Sequence, residues 1–72
     1  MDLIVRVNYK KGYEDLGEYR IDLDDYENCS VDDLNNIIKE LVNNITNYKN
    51  VKSIKRVCLY QRGELVRIIR NK

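Results

Sequence analysis

Histidine, proline and alanine are all absent from this chain of 72 residues. Without histidine there is no side chain whose ordinary pKa lies near neutral pH, and the common zinc sites lose their nitrogen donor. The two cysteines, Cys29 and Cys58, would need two further ligands to complete a tetrahedral metal site. These absences argue against histidine-based catalysis and against the usual zinc centres.

Glycine is scarce, and the three glycines are scattered. Neither of the phosphate-binding arrangements G-x-x-x-x-G-K-[ST] and G-x-G-x-x-G occurs. Ser30 is better placed to cap a helix than to act as a nucleophile, and neither cysteine has an identifiable catalytic partner. We therefore predict that the protein is not an enzyme and that it uses no cofactor.

The chain also lacks long apolar runs. No run approaches the roughly 18 residues of a membrane span, and the first residues lack the basic and apolar segments of a secretory signal. With 43% hydrophobic residues the composition is too apolar for intrinsic disorder. We expect a single domain over residues 1–72, in the cytoplasm, with reduced thiols and no membrane partner.

The amino-acid usage follows codon composition. Alanine and proline have G/C-rich codons and are missing, whereas lysine, asparagine and isoleucine have A/T-rich codons and are abundant. This usage is typical of a low-G+C bacterium, or of a phage or mobile element that lives in one.

Charged residues are sorted along the chain. From Glu14 to Glu40 there are ten carboxylates against two cations, whereas from Lys49 to Lys72 there are eight cations against one carboxylate. The formal net charge of +1 conceals this separation. Because a dipolar surface steers partners through its field even when the net charge is small, the sorting indicates a charge-guided interaction.

Hydrophobic periodicity predicts two strands followed by a helix. Apolar and polar residues alternate from Leu3 to Tyr9 and again from Tyr19 to Leu23, as in half-buried strands. Ser30 is a suitable helix cap, and beyond it apolar residues recur at spacings of three and four. We expect a helix over about residues 31–48, with one apolar stripe that docks against a sheet.

Residues 53–70 have the pattern of a second hairpin. With a two-residue turn at Arg62-Gly63, Tyr60 lies opposite Leu65, and both strands keep a period of two beyond that pair. The alternative is a loop of three to five residues, which would alter the register, because Arg62 must adopt positive φ in the shorter turn. This register turns four apolar side chains toward the helix: Val57, Leu59, Val66 and Ile68.

The predicted element order is ββαββ, which gives an α+β class with one helix on one face of a four-stranded sheet. A right-handed crossover through the helix would place the last strand parallel to the first and beside it, in a mixed sheet of order 2-1-4-3. This layout resembles the β-grasp arrangement of ubiquitin-like modules. The resemblance is one of topology over the whole chain, and since no family motif accompanies it, it implies no function.

The sheet face away from the helix combines apolar, aromatic and arginine side chains in this register. Arginine and tyrosine are enriched in binding hot spots, and exposed leucine and isoleucine favour coverage by a partner. The alternative is an ordinary surface, in which long arginine stems shield the sheet. The predicted partner-binding residues are Arg6, Arg56, Tyr60, Leu65, Arg67 and Ile69.

Carboxylates cluster between the second strand and the helix, where the predicted acidic patch consists of Asp22, Asp24, Asp25 and Glu27. A calcium-binding EF-hand counted from Asp22 would need glycine at its sixth position, which is Glu27, and glutamate at its twelfth, which is Asp33. We therefore expect no metal site. The patch either caps secondary structure or meets a basic groove on a partner.

The hypothesis that accounts for these features is a non-enzymatic protein–protein interaction module. The expected partner is a protein, and a homodimer through the sheet face or the sheet edge is a further option. Size and composition favour, more narrowly, an inhibitor or adaptor encoded by a phage or mobile element, which binds a larger host macromolecular assembly. The alternative is a small RNA- or single-stranded-DNA-binding protein that uses the basic C-terminal hairpin and stacks bases on Tyr60.

Overall fold

The computed structural model describes residues 1–12 and 17–71, which form one α-helix and four strands. The strands are β1 (Asp2–Tyr9), β2 (Gly17–Asp22), β3 (Val51–Gln61) and β4 (Glu64–Asn71), and the helix is α1 (Val31–Thr46). A single turn of 3-10 helix, Asp24–Tyr26, precedes α1. The predicted α+β class and ββαββ order are confirmed. The sequence predicts a hairpin loop over residues 10–17 between the first two strands, and residues 13–16 of it lie outside the described residues.

Every neighbouring pair of strands in the sheet is antiparallel, and the strand order is β2-β1-β3-β4. The predicted mixed sheet of order 2-1-4-3 is wrong, because β3 rather than β4 pairs with β1. The β-grasp resemblance depended on a parallel pair of first and last strands. That pair is not formed, so the sheet does not support the resemblance.

β3 takes the inner position because it has the more continuous apolar surface. Val57 and Leu59 are buried on one face, and Cys58 between them is buried on the other. β4 instead carries Arg67 and Arg70 among its apolar residues. Placing these cations in the middle of the sheet beneath the helix would cost desolvation energy, so the more polar strand lies at the edge.

The core lies between α1 and the inner strands, and its buried members are Leu3, Val5, Val7, Leu23, Ile38, Ile45, Val51, Ile54, Val57 and Leu59. Sequence periodicity did not identify Val51 and Ile54 as core residues. The pairing of β3 with β1 is irregular at two places, where Lys52 and Lys55 are extra residues. Such bulges change the spacing of inward side chains from two to three, which hides the period-two pattern.

The helix begins where predicted. Ser30 Oγ accepts a hydrogen bond from the backbone N–H of Asp33 at 3.2 Å, which satisfies one free donor of the first turn. The helix ends at Thr46, earlier than the predicted Tyr48. The Tyr48 ring meets the Tyr19 ring of β2 edge to face, with centroids 5.4 Å apart, so this layer extends over the β2 side of the sheet.

None of the helices in residues 1–12 and 17–71 combines the length and the apolar character that crossing a bilayer requires.

Candidate functional site

β4 exposes a row of large apolar side chains. The exposed fraction is 46% for Leu65, 55% for Val66, 45% for Ile68 and 37% for Ile69. Because β4 is at the end of the strand order, the backbone groups on its outer side have no neighbouring strand within the described part of the chain. An open backbone edge flanked by apolar side chains is a template for pairing with another chain.

The turn that leads into β4 has the predicted form. Arg62 and Gly63 both have positive φ, 52° and 78°, as a two-residue hairpin turn of type I′ requires. Gln61 lies opposite Glu64, and Tyr60 lies opposite Leu65. The hairpin register is therefore confirmed as far as Leu65.

Beyond Leu65 the predicted register is wrong. The pairing of β3 with β4 shifts twice, and Val66 and Ile69 are the extra residues. Leu59 consequently lies opposite Arg67, and Cys58 lies opposite Ile68. A one-residue shift exchanges the two faces of a strand, so Arg67 moves to the helix side and Ile68 to the open side.

The side-chain contacts agree with this exchange. Arg67 donates a hydrogen bond from Nη2 to Asn35 Oδ1 of α1 at 2.9 Å, and Ile69 lines a groove beneath the helix. The six predicted partner-binding residues are thus divided between two faces. Arg6, Arg56, Tyr60 and Leu65 share the open face, whereas Arg67 and Ile69 lie on the helix side.

The open face has an apolar cluster at its β4 side. Tyr60 and Ile4 are half-buried, Cys58 is buried beside them, and Leu65 and Ile68 extend the cluster to the edge. Ile68 is a member that period-two reasoning had assigned to the core. The sequence signal that could have identified Ile68 is the spacing of Arg67 and Arg70, which lie three and six residues after Glu64. In a strand with bulges, charged side chains at this spacing can all point to one side of the sheet.

The arginines of the open face are less free than the sequence suggests. Arg6 Nε lies 3.3 Å from Glu18 Oε1 of β2, and Arg56 lies directly opposite Arg6. Arg56 Nε is buried and has no hydrogen-bond partner among the described residues. Both arginines and Tyr60 line one small cleft of about 30 Å³. Part of the predicted arginine surface is therefore engaged within the sheet itself.

A groove of about 800 Å³ runs between α1 and β4. Its apolar lining comes from Ile38 and Val42 of the helix and from Val57 and Ile69 of the sheet, and its polar rim includes Asn35, Asn36, Lys39, Asn43, Thr46 and Arg70. The groove exists because the helix layer does not cover β4.

The acidic patch forms a turn at the end of the sheet where β2 ends. The N-terminal amine of Met1 lies 2.5 Å from Asp24 Oδ1 and 3.6 Å from Glu27 Oε1, and Asp22 accepts a hydrogen bond from the Asp24 backbone. The hydrogen bond from the amine lowers the pKa of Asp24, and the same contact raises the pKa of the amine. Part of the patch therefore serves local structure.

The opposite end of the sheet is basic. The backbone N–H of Lys10 bonds the carbonyl of Asn50, which joins the end of β1 to the loop before β3. Several lysines lie on these segments: Lys10, Lys11, Lys49 and Lys52. The charge sorting of the sequence thus becomes a spatial separation along the strand direction, because β1 and β3 both span the distance between the acidic turn and this end.

Within residues 1–12 and 17–71 there is no group of three or more side chains that could hold a metal ion. No family model matches the sequence, no curated protein is significantly similar to it, and no solved structure matches it significantly. The functional argument therefore depends on the geometry alone.

Proposed function

We propose that this protein is a non-enzymatic protein–protein interaction module whose binding surface is centred on the β4 edge. The observation that carries the proposal is the row of exposed apolar side chains on β4, beside a backbone edge without a strand partner in the described chain. Burying such side chains against a partner contributes roughly 25 cal/mol for each Å² of apolar surface.

The geometry suits strand addition. A partner strand would form main-chain hydrogen bonds with β4, and its alternate side chains would meet two different apolar surfaces. On the open side these are Leu65 and Ile68 with Tyr60, and on the helix side Ile69 within the groove. The backbone would provide affinity, and the two surfaces would provide specificity.

The nucleic-acid alternative has weaker support. A base-stacking platform would need Tyr60 and several cations on one face, but Arg67 lies on the helix side and Arg6 pairs with Glu18. The acidic turn would also repel phosphates. The lysines at the opposite end are the main feature that favours this alternative, and the exposed Tyr48 ring beside Lys49 is packed edge to face against Tyr19.

The narrower hypothesis, an inhibitor or adaptor from a phage or mobile element that acts on a host assembly, stays a prediction from size and composition. The absence of histidine from the sequence and the placement of Ser30 as a helix cap support a function without catalysis.

The proposal is tested by comparing capture from a low-G+C bacterial lysate by three immobilised proteins: the natural sequence, Ile68→Ser and Tyr26→Ser. Both variants remove one large exposed side chain, but Tyr26 lies in the 3-10 turn after β2, away from β4. We expect Ile68→Ser to lose the specifically captured proteins and Tyr26→Ser to retain them. Quantitative mass spectrometry measures the difference, with nuclease-treated lysate as a parallel arm.

Equal capture by both variants would exclude β4 as the surface that binds proteins of the lysate. Capture that disappears after nuclease treatment, together with steeply salt-dependent retention on labelled oligonucleotides, would favour the nucleic-acid alternative because counterion release causes that dependence. Thermal unfolding of each variant checks that Ile68→Ser remains folded, as expected for an exposed position.

A further inference from the structure

The order of apolar and charged residues in β4 is symmetric about Arg67. Reading outward from Arg67, the neighbours on both sides are apolar for two positions, and the third positions are Glu64 on one side and Arg70 on the other. The strand therefore has the same pattern of apolar and charged residues in both directions, and its outer charges have opposite sign.

The pairing with β3 places the three charged residues on one side of the sheet. Arg70 lies opposite Val57, Arg67 opposite Leu59, and Glu64 opposite Gln61. Residues 57, 59 and 61 of β3 alternate regularly, and residues directly opposite one another share a face. Glu64, Arg67 and Arg70 thus all lie on the helix side, and two of them can form a cross-strand pair with a symmetry mate.

We infer that β4 pairs in antiparallel orientation with β4 of a second copy of this chain, on a two-fold axis at Arg67, which joins two sheets into one of eight strands. Glu64 of each copy then lies opposite Arg70 of the other, and Leu65 lies opposite Ile68 on the open face, with Val66 and Ile69 left out of the pairing as they are in the pairing with β3. This inference deepens the proposed function, because it names a second copy as a chain that adds to the edge.

The charge distribution favours this orientation. β4 runs from the end of the sheet that holds the acidic turn toward the basic end. Antiparallel pairing aligns the two charge gradients in opposite directions, which is attractive, whereas parallel pairing would place like charges side by side. Two-fold pairing also closes the assembly, so it would not continue into a fibre.

The register with its axis at Arg67 pairs the strand from Glu64 to Arg70 over its whole length. With Val66 and Ile69 left out, an axis at Ile68 would place Arg67 opposite Arg70, which is repulsive. An axis at Leu65 would place Glu64 opposite Arg67, but Ile68 and Arg70 would then lie beyond the start of the partner strand. The preferred register also brings two Arg67 side chains of like charge together at the axis, which is unfavourable. Asn35 reduces this repulsion, because each guanidinium is hydrogen-bonded to the helix of its own copy.

The experiment is a charge exchange, followed by analytical ultracentrifugation over a concentration series under reducing conditions, because Cys29 is exposed. Glu64→Lys places lysine opposite Arg70 twice in each dimer, and Arg70→Glu places glutamate opposite Glu64 twice. We expect each variant alone to raise the dimer dissociation constant by at least about tenfold. An equimolar mixture of the two restores both attractive pairs, so it should dimerise about as tightly as the natural protein.

A second readout locates the axis. In a Cys29→Ser background, Arg67→Cys should form a disulfide-linked dimer rapidly, because each new thiol faces its own symmetry mate across adjacent strands. Leu65→Cys is the matched control, since its opposite residue in this register is Ile68 rather than a second Leu65, and it should crosslink several-fold more slowly.

Each result decides the inference. A natural protein that stays monomeric to millimolar concentration overturns it, as does a dimer that neither charge variant weakens, or a mixture that fails to recover. A monomeric protein whose lysate capture still depends on Ile68 leaves the proposed function intact and assigns the edge to a different protein. If the natural protein does not dimerise and its lysate capture does not depend on β4, both proposals are wrong.

Discussion

The two edge strands of this sheet, β2 and β4, have the same topological position and different surroundings. Tyr19 of β2 packs against Tyr48, which follows the helix, and the charged residues of its open face lie near partners on β1. Arg67 of β4 forms a hydrogen bond with Asn35 of the helix, but the four large apolar side chains of β4 are exposed.

The difference shows that an edge strand is protected by what covers its faces. β2 is short, and its polar side chains pair within the sheet, as in proteins that avoid association through their edges. β4 also has two bulges, which often protect edges, but here they distribute apolar side chains over both faces. The protein has one edge whose side chains are engaged within its fold and another whose apolar side chains are exposed.

The strongest test of this contrast between the two edges makes the same substitution, leucine to alanine, near each edge of the sheet. Leu23 directly follows β2 and is fully buried, whereas Leu65 of β4 is exposed. Leu23→Ala should lower the free energy of unfolding by about 2–5 kcal/mol through lost burial and a new cavity. Leu65→Ala should change it by less than about 0.5 kcal/mol but weaken dimerisation. Urea unfolding and ultracentrifugation measure the two effects; equal destabilisation would contradict the contrast.

A second test examines how closely β2 is packed. The ring of Tyr9 and the side chain of Val7 lie where a Cβ atom on Gly17 would be. Gly17→Ala should therefore destabilise the fold by about 1–3 kcal/mol, because the tyrosine must move. Glu18→Ala, at the next position of β2, is the control and should have a much smaller effect in the same unfolding measurement.

The single side-chain hydrogen bond between helix and β4 in the described chain tests how firmly that edge is held. Arg67→Ala and Asn35→Ala should each cost about 0.5–1 kcal/mol, since the bond is exposed to solvent. If the two residues act through one bond, the double variant should cost no more than either single variant. Additive effects in the double-mutant cycle would show that they act independently.

The smallest expected effect concerns the acidic turn at the end of β2. Since the Met1 amine lowers the pKa of Asp24, the folded state favours its carboxylate, and the contribution to stability is present above the ordinary pKa. It is lost as the pH falls through the lowered pKa. Asp24→Asn should therefore reduce stability slightly at neutral pH and not at strongly acidic pH, as thermal unfolding over a pH series would show.

Much of the fold was predictable because it depends on local patterns. The alternation from Leu3 to Tyr9 identified β1, the Ser30 cap located the start of α1, and Arg62-Gly63 identified the hairpin turn. Each of these signals is contained within a few neighbouring residues. They were sufficient for the order of elements, although not for the order of strands.

The candidate site was only partly predictable because it depends on bulges. Tyr60 and Leu65 precede the first register shift in the hairpin and were placed correctly opposite each other. Arg67, Ile68 and Ile69 follow it, and their faces were assigned wrongly. A bulge inserts one residue without a distinctive sequence signal, and a single inserted residue reverses every later assignment.

The sequence by itself determined the α+β class, the helix cap, the hairpin turn and the sorting of charge, because each arises from propensity or from composition along the chain. Only the tertiary structure decided which strand pairs with β1, which face each β4 residue occupies, and that the helix leaves β4 uncovered. These outcomes depend on competition among distant segments for burial. Local sequence sets what each segment could bury, and packing of the whole chain decides which segment is buried.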